Sequence, residues 1–209
     1  MIRSMVLIAA LLAANACAKS EPTPETAPAE PTATTAATPA AVRGLPMWVI
    51  RDADSTIYLT GTIHILPPDL EWRSPKLEAA LDEAKELWLE IAIPADRAQF
   101  QRDTRPLFLK HARLSGPPLS SRLTEKERKA LDEALDRAGV PVEARDEIDR
   151  MQPWYAANLI SVGTYVSAGY SGDAGIDNTL ARMAYEQGDA VRGLETVEFQ
   201  LGVISGQSE

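Results

Sequence analysis

The chain is poor in the residues that usually announce a chemistry: among its 209 residues there are one cysteine and two histidines. A single cysteine excludes an internal disulfide framework and any cysteine-built metal cluster. Basic residues are outnumbered, 21 Lys and Arg against 30 Asp and Glu, giving a formal charge of −9. No basic stripe interrupts that balance, which argues against a nucleic-acid partner. Long hydrophobic runs are missing as well. The apolar stretch Met5 to Ala14 is too short to span a bilayer as a stable anchor.

That short apolar stretch follows Met1-Ile2-Arg3 and leads to the small residues Ala14-Asn15-Ala16, the pattern of an export signal over residues 1–16. The lone Cys17 stands directly after it. A bacterial lipoprotein signal places its lipid-modified cysteine there, and a lone thiol is otherwise a liability in an oxidising compartment. The expectation is therefore a lipoprotein of the bacterial cell envelope, facing the periplasm and attached to the membrane through Cys17. A soluble periplasmic protein with an incidental cysteine is the alternative. Residues 17–43 are Pro, Thr, Ala and Glu with almost nothing large and apolar, so they read as a disordered, extended tether. Charges balance within residues 1–43, so the acidic excess belongs to residues 44–209, enough chain for one ordinary domain.

Within that domain, Met47 to Arg51 and Thr56 to Thr60 read as the strands of a hairpin around the turn Asp52-Ala53-Asp54-Ser55. The second strand runs into Gly61, which allows a bend or a close backbone approach, and then His64, before Pro67-Pro68 ends the segment. A histidine just past a strand end is where α/β proteins place their chemistry. The competing reading is a half-buried histidine satisfied by a backbone carbonyl. Ser74-Pro75 opens a helix, with Leu77, Ala80, Leu81, Ala84 and Leu87 at helical spacing. From Glu86 the pattern alternates to Ile91, giving a strand that carries Glu90 near its carboxyl end. Strand, helix and strand make a βαβ unit, so His64 and Glu90 are expected beyond the ends of neighbouring parallel strands.

Farther on, His111 reads as a surface residue at a helix C-terminus. Thr124 to Glu127 forms a capping box that opens another helix. Helices follow over Val142 to Met151 and from Gln152-Pro153-Trp154 through Val166. After the glycine-rich loop 169–175, Asp177 sits at a helix start, where an acid is more often a dipole partner than a catalyst. Ala190 to Leu194 reads as a third strand of the sheet, followed by Glu195 and a capping Thr196.

Taken together, Gly61-Thr62-Ile63-His64 with Leu66-Pro67, the strand to Glu90, Gln152-Pro153-Trp154, Gly175-Ile176-Asp177 and Gly193-Leu194-Glu195-Thr196 with Glu198 and Gln200 resemble the TraB/GumN family. Its relatives include the TIKI metalloproteases and, more distantly, EreA- and ChaN-like proteins. The resemblance implies an α/β fold with a mixed sheet, an N-terminal hairpin, parallel βαβ strands and a helical insertion. It also implies a divalent metal, manganese or zinc, and a peptidase-like hydrolytic site. On the family motif the catalytic and metal-binding residues would be His64 and Glu90, with Gly61 and Asp177 in supporting roles. A catalytic metal takes about three protein ligands, and Glu195 is the candidate for the third. Family members carry a second Gly-x-x-His after the Gly-Leu-Glu-Thr segment, whereas this chain reads as truncated before it. A His-Glu-Glu set is oxygen-rich and suits manganese better than zinc. A non-catalytic, membrane-tethered protein that holds a peptide or small ligand in the same cleft is the alternative to a hydrolase.

Overall fold

In a computed structural model of the chain, the described residues are 2–8, as backbone, and 44–206. The expected lipidation site Cys17, the tether 17–43 and the remainder of the export signal lie outside them. The described residues form an α/β structure with a five-stranded mixed sheet and seven α-helices.

The N-terminal hairpin forms where composition placed it. Strand β2 (Met47–Arg51) runs antiparallel to β3 (Ser55–Gly61), with Met47 opposite Thr60 and Arg51 opposite Thr56. Asp52 closes the turn by accepting hydrogen bonds from the Ser55 amide and hydroxyl, both at 2.7 Å. Helix α1 (Pro75–Glu83) starts with proline in its first turn, and the Leu77 amide donates to Ser74 Oγ at 3.3 Å. The chain then enters β4 (Glu86–Ile91), which pairs in parallel with β5 (Ala190–Glu195), Leu89 opposite Gly193 and Ile91 opposite Glu195.

The strand order corrects one expectation. It runs β2-β3-β1-β4-β5, where β1 is Ile2–Ile8. The backbone of β1 is parallel to both β3 and β4, so β3 and β4 are parallel to each other but not neighbours. Their carboxyl ends are two interstrand spacings apart, roughly 9–10 Å. A local hydrophobic pattern specifies that a segment is a strand; it does not specify which strand lies beside it.

The core joins β3 and β4 to α1 and α6 (Ile176–Gln187) through Tyr58, Leu77, Leu81, Leu87, Leu89 and Leu180. Leu81, Leu87, Leu89 and Leu180 are each only 1% exposed, and burying each contributes about 1.5–3 kcal/mol. Between β4 and α6 lies the helical insertion: α2 (Arg97–Ala112), α3 (Glu125–Arg137), α4 (Val142–Ile148) and α5 (Pro153–Ser167). It has its own small core of Leu119, Leu135, Ile148 and Ala156. Thr124 caps α3 in a reciprocal capping box with Glu127. Helix α7 (Val197–Ser205) follows β5 and is capped by Thr196, whose Oγ1 accepts from the Phe199 amide at 3.2 Å. It packs against α2, joined by the Lys110–Glu198 ion pair at 3.1 Å and by His111 Nδ1 to Ser205 Oγ at 3.0 Å. His111 is therefore half-buried between two helices, not a surface residue. Among the described residues, no helix is long and apolar enough to cross a membrane.

Candidate functional site

The site begins where β3 ends. The segment after Gly61 leaves the sheet and is fastened to the loop before α6 by backbone hydrogen bonds. Leu66 and Ser171 exchange two of them, at 3.1 and 2.8 Å, and the Ile176 amide donates to the Ile63 carbonyl at 2.9 Å. Gly175 completes the junction. A Cβ there would lie 2.1 Å from the His64 carbonyl oxygen and 2.9 Å from that of Gly172, so only glycine lets the two loops meet.

This junction sets the first turn of α6 against His64. His64 Nδ1 lies 2.5 Å from Asp177 Oδ2. Asp177 is only 7% exposed, whereas the His64 side chain is 52% exposed and faces solvent with the rest of its ring. The contact holds the His64 pKa above the ordinary imidazole value, chiefly through the hydrogen bond to Asp177, with burial opposing. For Asp177, burial pushes upward, but the His64 hydrogen bond and charge outweigh it and the carboxylate stays below its usual range. The Thr62 hydroxyl, buried and without a hydrogen bond of full geometry, lies beside that carboxylate and pulls the same way.

Glu90, half-buried near the end of β4, is pushed above the usual carboxylate range, first by desolvation and then by the negative charge of Glu195. His64 opposes that shift through its charge, as does the Gln200 side-chain amide, which donates to Glu90 Oε1. Gln200 comes from α7, so the helix after β5 orients the acid at the end of β4. Glu195 is the last residue of β5 and is exposed.

The expected site residues are thus brought to one end of the sheet, in a different pairing from the one expected. His64 is satisfied neither by a backbone carbonyl nor by Glu90; its partner is Asp177, which the sequence places at a helix start. Glu90 stands across the width of β1 and is held by Gln200. Gly61 ends β3 with no atom within 4 Å of where a Cβ would go and no left-handed φ, so neither a bend nor a close approach requires glycine there. The Gln152-Pro153-Trp154 motif starts α5 and ties it to α2, the Gln152 amide donating to the Ala112 carbonyl at 2.6 Å. Local reading marked Asp177 only as a supporting residue, and it named neither Asp177 as the partner of His64 nor Gln200 as the partner of Glu90. Their only local signals were an acid in a first helical turn and a glutamine four residues past a cap.

Among the described residues, no three His, Cys, Asp or Glu side chains group as metal ligands. His64, with Asp177 behind its Nδ1, has the orientation of a ligating histidine, and Glu90 is an oxygen donor near the same strand ends. The donor count therefore falls short of the three that a catalytic centre ordinarily uses. A separate cleft of about 460 Å³ lies between α6 and the segment after β4, lined by Ile93, Arg97, Asp173, Asn178 and Tyr185. An Arg97–Asp173 ion pair at 2.7 Å crosses it, and neither His64 nor Glu90 forms its wall.

The family model described as TraB/PrgY/gumN family matches residues 46–209. No curated protein and no solved structure matches the chain.

Proposed function

The chain belongs to the TraB/PrgY/gumN family, and from that premise we propose that it is an envelope lipoprotein bearing a peptidase-like hydrolytic site centred on His64. The observation that carries the reading is the 2.5 Å contact between His64 Nδ1 and the buried Asp177 carboxylate. When neutral, an imidazole held this way carries its proton on Nδ1 and presents the lone pair of Nε2 away from Asp177. That lone pair suits a general base or a metal ligand equally. Asp177 orients the ring and stabilises the imidazolium once a proton has been taken up. Glu90, with its carboxyl pushed upward, exchanges a proton closer to neutrality than an ordinary surface acid does. Gln200 keeps that carboxyl in place.

A bound manganese or zinc ion would supply an acidified water and polarise a carbonyl group. His64 and Glu90 are the residues of this chain that would hold it. Glu195 acts on Glu90 by charge from an exposed position, and a third ligand must come from beyond this pair. That shortage favours a second reading, a non-catalytic envelope protein holding a peptide or small ligand.

Calorimetric titration with manganese and with zinc separates the two. Wild type should bind, His64→Ala and Glu90→Gln should each lose binding, and Glu195→Gln should retain most of it. Affinity should fall as pH drops through the raised His64 range, because an imidazolium has no free lone pair. Equal binding by wild type and His64→Ala removes the metal site. The anchor is tested separately by intact mass of the membrane fraction against Cys17→Ser. An acylated Cys17 N-terminus is expected, and an unmodified one would overturn the lipoprotein reading.

A further inference from the structure

One strand's width separates β3 from β4 directly beneath the site, and Ile2–Ile8 fills it. β3 is bonded on its outer edge by β2, and β4 on its outer edge by β5, but β3 and β4 make no ladder with each other. Their facing edges both pair with Ile2–Ile8. On the reading that residues 1–16 are an export signal, that strand is removed from the mature protein. Two parallel edges in the middle of a sheet would then be unpaired, beside the buried Tyr58, Leu87 and Leu89. Unpaired backbone groups in such a place cost free energy and invite another strand.

We propose that the space between β3 and β4 is an acceptor for an extended, apolar peptide segment running parallel to both strands, and that Ile2–Ile8 holds the place in the uncleaved chain. The chemistry of the occupant follows from the strand that fits. It is seven residues long, and five of them (Ile2, Met5, Val6, Leu7 and Ile8) are apolar. Its register delivers the carboxyl end to the site. Ile8 pairs with Gly61, and Val6 with Trp88, so the same ladder brings position 8 level with Glu90. The next residue of a docked peptide would be level with Thr62, between His64 on one side and Glu90 on the other. Backbone hydrogen bonds on both edges supply affinity with little dependence on side chains, the mode of strand addition. The proposal rests on the export reading for the release of Ile2–Ile8, and it does not require the site to be catalytic.

The test uses the full chain with a specific protease site inserted after Pro28, compared cut and uncut. The probe is a fluorescent peptide of the Ile2–Ile8 sequence carrying a photoreactive group at its eighth-residue position. The cut protein should bind one probe per chain, and the uncut protein about tenfold more weakly or worse, since the tethered strand competes at high effective concentration. Cross-links should fall on residues 60–62 and 89–91. Equal binding by cut and uncut protein, no binding by either, or cross-links along β2 would each overturn the proposal. Should the cut chain precipitate, the uncut chain still decides. Val6→Pro should remove amide-exchange protection from β3 and β4 and lower the melting midpoint, and an unchanged exchange pattern refutes the slot. An exported protein that retains Ile2–Ile8 would overturn the export reading alone, leaving the acceptor geometry to the cross-links.

Discussion

Gly175→Ala probes the junction on which the site depends. A methyl at residue 175 would stand 2.1 Å from the His64 carbonyl oxygen, 2.7 Å from its carbonyl carbon and 2.9 Å from the Gly172 oxygen. All three are backbone atoms, so no rotamer change relieves the overlap. The loop and the start of α6 must separate from residues 63–64. Overpacking of this kind costs about 1–3 kcal/mol. At about 2–4 °C per kcal/mol for a domain of this size, the melting midpoint should fall by about 2–12 °C. Because Asp177 moves with α6, the His64 pKa should drop back toward the ordinary imidazole range. Thermal denaturation and NMR titration of His64 read the two effects on one sample. Gly172→Ala is the matched control: its Cβ would sit 3.9 Å from the same carbonyl oxygen, an ordinary contact. A Gly175→Ala variant with wild-type melting and an unchanged His64 titration would refute the steric reasoning. Equal damage from Gly172→Ala would show a general intolerance of the loop instead.

Asp177→Asn keeps the shape and removes the anion, so the His64 pKa should fall. The raised His64 pKa contributes stability that is full below the unfolded imidazole value and is lost as pH rises through the folded one. The lowered Asp177 pKa contributes above the unfolded carboxyl value and is lost as pH falls through the folded one. The stability gap between wild type and variant, read from urea midpoints, should therefore be widest in mildly acidic solution and shrink on both sides. A pH-independent gap would mean that the pair does not carry it. Glu90→Gln should leave stability unchanged or raise it above the range where Glu90 ionises, since it removes a charge that burial and Glu195 disfavour while keeping an acceptor for Gln200. A large loss at neutral pH would contradict that assignment. Leu81→Ala, at a position 1% exposed, should cost about 2–5 kcal/mol in denaturant midpoints, and a loss below about 1 kcal/mol would show a core that collapses around the gap.

Much of the local structure was legible because its causes lie within three or four residues. Ser74-Pro75 sets the start of α1, Thr124 with Glu127 closes a capping box, and Thr196 caps α7. The hairpin of β2 and β3 follows from two β-branched runs around Asp52. By itself, then, the sequence determined most of the elements between residues 47 and 205 and the placement of His64 and Glu90 near strand ends. It did not mark Ile2–Ile8 as a strand, because an export signal and a buried strand share the same short apolar run. Tertiary structure alone decided the partners. His64 and Asp177 are 113 residues apart, and Gln200 and Glu90 are 110 apart. No local period or cap couples such positions; they meet because Gly175 admits the loop after β3 and because α7 returns over β4. The place of Ile2–Ile8 between β3 and β4 belongs to the same class. A strand's pattern states which residues can be buried, while its neighbours are chosen by whichever edges the rest of the fold leaves open.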